Sequence, residues 1–200
     1  MNDITSEYLR FVIARCGGYF KPSLIEGLMN PNNFLRYLKR QDELFIVLKR
    51  WHSEGEYIYR LPSKYVKPYW KYNPKKVDEP HLFKSFALIK HYEKAHLLPY
   101  TKGLMTKHFP NVPTRTFNGI CHSLDTIKQR HVVIILDYLS SAKRVSKIVS
   151  TLKNRIEPDK SPDFHVVTPT DGKKIRAQVQ KDNPKELVRY FSFPELVKIF

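Results

Sequence analysis

TSEYLRFVIARCGGYFKPSLIEGLMNPNNFLRYLKRQDELFIVLKRWHSEGEYIYRL, residues Thr5 to Leu61, is the stretch that decides the fold. Tyr8, Phe11, Val12 and Arg15 recur at helical spacing behind Thr5 or Ser6, so a capped amphipathic helix is expected over residues 6 to 16. Gly17-Gly18 ends it. Lys21-Pro22-Ser23-Leu24-Ile25-Glu26 reads as the entry to a short second helix, with Leu24, Ile25 and Leu28 on its buried side. Asn30-Pro31-Asn32-Asn33 then punctuates the chain, and Phe34, Leu35 and Leu38 supply the core face of a third helix ending near Gln41.

Two β-rich runs follow, Leu44 to Trp51 and Glu56 to Leu61, separated by the turn His52-Ser53-Glu54-Gly55. Three helices followed by a hairpin is the order of a winged helix-turn-helix, in which the third helix and the hairpin meet DNA. Asn32, Asn33, Arg36, Lys39 and Arg40 fall on or beside the polar face of the third helix. Arg and Asn carry paired donors and acceptors that match guanine and adenine edges in the major groove. Lys49, Arg50, His52 and Arg60 on the hairpin are placed to reach phosphates or a minor groove. Trp51 and Tyr57 are read as packing beneath the hairpin, or else as stacking on sugar and base. A solvated basic face is the bland alternative for the helix.

From Pro62 to Lys76 the chain has three prolines, five lysines and no acidic residue, which predicts an irregular basic linker. Its Tyr and Trp rings are available either to stack on a nucleic acid or to cover a seam, and Lys64 and Lys67 extend the set of expected DNA contacts. Beyond it, Leu82, Phe83, Phe86, Leu88, Ile89 and Tyr92 predict a helix over 80–96. His131 to Leu136 is an apolar, β-branched run suited to a strand buried on both faces, and Ser140 or Ser141 caps a following helix. Phe164 to Val167 and Lys174 to Gln180 flank Thr170-Asp171-Gly172-Lys173, a hairpin signal, and Asn183-Pro184 opens a last helical region.

The expected fold class is α+β, an N-terminal winged helix-turn-helix followed by a small α/β domain. The divisions are 1–68 for the first domain, 69–80 for the linker and 81–200 for the second, the last serving as a degenerate nuclease-like or dimerisation domain. Lys and Arg number 35 against 19 Asp and Glu, a formal charge of +16, so polyanions are the natural partner. The N-terminus lacks a signal-peptide pattern and there is no membrane-spanning run, which places the expected protein in the cytoplasm, associated with the nucleoid. Cys16 and Cys121 are the only cysteines and are expected to be reduced and packed. No CxxC or HExxH occurs, so neither a metal site nor a cofactor is expected.

Pro162-Asp163, a hairpin and then Gln178-Val179-Gln180 resemble the PD-(D/E)xK nuclease motif with its second acid and its Lys both replaced by Gln. A neutral amide does not offset a metal's charge, so such a site is expected to be catalytically dead. Taken with Ser6 to Leu61, SPDFHVV and RAQVQKDNPKE weakly resemble replication-relaxation-type proteins of plasmids and phages. That resemblance implies a winged helix joined to a nuclease-like domain that has often lost catalytic residues. The function expected first is non-enzymatic binding of double-stranded DNA, in transcriptional control or in replication or transfer of a mobile element, by a protein able to form a homodimer. The alternatives are a metal-dependent nuclease or nickase using Asp137 and Asp163, and an RNA-binding or protein-partner adaptor.

Overall fold

The computed structural model describes residues 4–47, 56–70, 77–99, 106–113, 120–138, 141–156 and 161–199. The chain divides into two units, the first running to Leu98 and taking in the residues from Leu196 onward, the second spanning Pro99–Glu195. Among the described residues no helix is long and apolar enough to cross a membrane.

In the first unit, α1 (Ser6–Arg15) starts on Thr5, whose Oγ1 accepts from the Tyr8 amide at 3.2 Å. Leu9, Val12 and Ile13 are its fully buried residues, at the i, i+3, i+4 spacing of one helical face. Tyr8 and Phe11 lie on the exposed flank of that face, at 42% and 37%, so the core stripe is turned away from where aromatic size alone would put it. Gly18, at φ 87°, brings the chain round into β1 (Tyr19–Phe20), and its amide closes back on the Ile13 carbonyl. Pro22 sits in the first turn of α2 (Pro22–Ile25), with Leu24 and Ile25 buried.

Asn30 Oδ1 accepts from the amides of Asn32 and Asn33 and so caps α3 (Pro31–Arg40), which buries Phe34 and Leu38. β2 (Phe45–Ile46) and β3 (Tyr59–Arg60) follow, and the small antiparallel sheet has the order β1-β3-β2. The second half of the Leu44–Trp51 run and the turn after it lie outside the described residues. Where an irregular linker was expected, Ser63–Val66 forms a short helix, α4. Pro62 opens it, and Val66, fully buried, anchors it.

α5 (Glu79–Ala95) begins on Asp78, which accepts from the His81 amide at 3.0 Å, and ends with His96 in the left-handed region. Its apolar residues are buried nearly all round, and it packs on α1, α2 and β1. For that reason α5 belongs to the first unit, and the division falls after Leu98 rather than at residues 69–80.

The second unit holds a hairpin, β4 (Ile120–Asp125) and β5 (Arg130–Leu136), then α6 (Ala142–Lys153), β6 (Asp163–Thr168), α7 (Lys173–Asp182) and β7 (Val188–Ser192). Its sheet has the order β4-β5-β6-β7, antiparallel at the hairpin and parallel thereafter. α6 and α7 share one core with the sheet, where Val145, Val149, Leu152, Ile175 and Val179 pack with Val133, Ile135, Phe164 and Val166. Ser141 caps α6 as expected.

Two expectations fail here. Lys174 to Gln180 is no returning strand but the body of α7, with Ile175 and Val179 four residues apart on its buried face. Thr170-Asp171-Gly172 is therefore a strand-to-helix connection: Gly172 takes φ 70°, and Asp171 Oδ1 accepts from the Lys173 amide. The region after Asn183-Pro184 does not open as a helix either, and is helical only at its end. Pro184 terminates α7, β7 follows on the alternation of Val188 and Tyr190 with Arg189 and Phe191, and a 3-10 helix (Pro194–Ile199) ends the described chain.

Candidate nucleic-acid interface

A helix turns about 100° per residue, so Asn32, Arg36, Arg40, Asn33 and Lys39 fall within an arc of about 120° on α3. Phe34 and Leu38, both fully buried, project from the opposite side. All five polar side chains are exposed. Among the described residues no carboxylate lies within ion-pair distance of Arg36, Lys39 or Arg40. The result is an amphipathic helix whose outer face carries three uncompensated cations and two amides on a single stripe.

That helix is held by a residue the sequence reading passed over. After α3, Asp42 adopts φ 52° and the Glu43 amide bonds back to the Leu38 carbonyl at 2.9 Å. This turn carries the Glu43 side chain inward, where it is 6% exposed. One carboxylate oxygen takes Arg10 of α1 at 2.8 Å; the other accepts from the Tyr65 hydroxyl and meets Lys64 at 3.0 Å, both on α4. The Arg10 guanidinium lies 4.3 Å over the Tyr65 ring and 5.5 Å over the Tyr37 ring. Burial pushes the Glu43 carboxyl up, but hydrogen bonds from Tyr65, Lys64 and Arg10 outweigh it and hold the group below the usual carboxylate range. Glu43 thus pins the end of α3 to α1 and α4.

Lys64 is accordingly a member of this network rather than an unengaged surface cation. Arg60, on β3, lays its guanidinium 4.6 Å over the Phe45 ring and is half-buried. Lys67 is exposed at the end of α4. Lys49, Arg50, His52 and Trp51 lie outside the described residues. Tyr57 is 42% exposed, its ring edge-on to Tyr59. Two of the linker's rings are packed: Trp70 donates to the Arg15 carbonyl at 2.8 Å, and Tyr69 stands edge-on to Phe11; Tyr72 lies outside the described residues.

In the second unit Asp163 is paired with Arg130 at 3.1 Å. Gln178 and Gln180, expected on the strand that faces it, ride on α7, and Gln178 donates to Asp182. Asp163 stands beside Val132 in the β5-β6 register, whereas Asp137 follows the far end of β5, five residues along. At about 3.3 Å per residue the two carboxylates are about 16 Å apart, too far to share a metal ion. Among the described residues no group of three His, Cys, Asp or Glu side chains is placed to hold one. Cys16 and Cys121 are both buried and are not joined to each other.

No protein-family model matches the chain, and no curated protein or solved structure matches it at a significant level.

Proposed function

We propose that this protein binds double-stranded DNA without catalysis, its first unit acting as a winged helix-turn-helix, in transcriptional control or in replication or transfer of a mobile element. The observation that carries the proposal is the outer stripe of α3, where Asn32, Asn33, Arg36, Lys39 and Arg40 are exposed together with no carboxylate in reach among the described residues. Support also comes from chain order: α1, β1, α2, α3, β2 and β3, with a β1-β3-β2 sheet, is the winged-helix sequence of elements.

In this reading α3 enters the major groove. Arg36 and the two Asn read base edges, while Lys39 and Arg40 neutralise phosphates. The resemblance to replication-relaxation proteins then extends to the first unit alone, because a helix stands where the nuclease motif needs a strand. A homodimer would meet half-sites spaced by about one helical turn or a multiple of it.

The test is binding to duplex DNA at several salt concentrations. Lys39→Ala is expected to weaken all duplexes alike and to lower the slope of log affinity against log salt by about one. A slope unchanged by that substitution and by Arg40→Ala would remove this face of α3 from the interface.

A further inference from the structure

In the second unit α7 and β7 enclose an open groove of about 500 Å³, built from the single stretch between Arg176 and Tyr190. Pro184 makes it: the helix stops, the chain doubles back, and β7 runs along the edge of the sheet. Tyr190 packs partly on the core under α7, and Arg176, exposed, lays its guanidinium 4.9 Å over the Tyr190 ring. Gln180, one helical turn further on, is exposed in the same groove, and Leu187 stands at its rim 63% exposed. The groove's own carboxylate, Glu186, is neutralised by Lys153 at 2.8 Å. Among the described residues no carboxylate lies within ion-pair distance of Arg176.

A concavity of this size lined by two arginines, with the Arg176 guanidinium stacked on Tyr190, an apolar rim and a primary amide, suits a small ligand that is anionic at one end and flat at the other. The Arg176 N–H groups can donate to a phosphodiester while its outer plane and Leu187 pack on a base, and the Gln180 amide offers both a donor and an acceptor to the base edge. An acidic peptide would satisfy the charge and leave the flat surface without a partner. A duplex keeps its bases stacked inside, whereas an unpaired strand can splay one into the groove. We infer that the α7–β7 groove binds an unpaired nucleotide of a single-stranded nucleic acid. The site is built from the second unit alone and does not depend on the duplex reading.

The experiment titrates the full chain with fluorescent oligothymidylate, oligouridylate and an abasic oligodeoxynucleotide of equal length. Stacking of one base amounts to about a fivefold preference or more, so oligothymidylate is expected to bind at least about fivefold more tightly than the abasic strand. Arg176→Ala and Leu187→Ser, both surface changes whose folding is checked by circular dichroism, are each expected to shrink that preference severalfold. The two base-bearing strands compared together show whether DNA or RNA is preferred. Equal affinity for abasic and base-bearing strands, or a preference intact in both variants, overturns the assignment. Because base preference on single strands is read whether or not duplex binding is found, this inference and the duplex proposal fail separately.

Discussion

Arg36 projects from the middle of the α3 stripe, and its worth to binding is set by what it meets outside the protein rather than within it. Arg36→Ala is expected to weaken specific duplex binding by about 1 to 3 kcal/mol and to relax the preference at one base position, measured by competition between duplexes. Glu43 is the opposite case, a residue whose partners are all internal. Glu43→Ala leaves Arg10 only the exposed Glu7 at 3.8 Å, and a loss of about 3 kcal/mol in urea unfolding is expected. His165 is 3% exposed on β6; burial first, and the nearby Arg189 second, push its imidazole down to about 4. The folded state keeps it neutral while the unfolded chain protonates it, so its contribution is complete above about pH 6.5 and declines as pH falls toward 4. Melting temperature is expected to drop across that window, and the drop should be smaller in His165→Phe. The α3 residues were legible in the sequence because a helix face is a local pattern. Glu43 was not, because its role depends on Arg10 and Tyr65, 33 residues before it and 22 after.

Elements with strong local punctuation were read correctly. Thr5 or Ser6, Asn30-Pro31 and Ser140 or Ser141 were each followed by an apolar helical period, and Thr5, Asn30 and Ser141 prove to be the caps; the helix expected over 80–96 is also present, capped by Asp78, which was not singled out. Asn30→Ala is therefore expected to cost about 1 kcal/mol, seen as a lower unfolding midpoint. Gly18→Ala should cost more, since the residue holds φ 87° and an added Cβ would lie 2.5 Å from Val66 Cγ2. Thr170-Asp171-Gly172-Lys173 misled because Asp-Gly serves a hairpin turn and a helix entry equally well. Ile175, Ala177 and Val179 alternate as a strand would, while Ile175 and Val179 alone fit a helix face; the local pattern serves both, and packing of those two residues on the sheet goes with the helix. β7 escaped notice because its alternation is short and half-buried at a sheet edge, where the apolar contrast is weak.

For the whole molecule, a charge of +16 over 200 residues means that, on the proposed reading, attraction to nucleic acid would include a large part that carries no sequence information. Affinity for random duplex is thus expected to fall steeply with salt while a preferred site stands out more clearly. The assignment of α5 to the first unit was beyond local reading, because a helix buried nearly all round does not announce which core it completes. The central claim, that the outer stripe of α3 reads duplex DNA, is tested most directly by selecting binders from a random duplex pool with the full chain and with Arg36→Ala at about physiological salt. The account predicts a recovered motif for the natural sequence and the loss of information at one or two of its positions in the variant. No motif from the natural chain, or the same motif at full strength from Arg36→Ala, would contradict it.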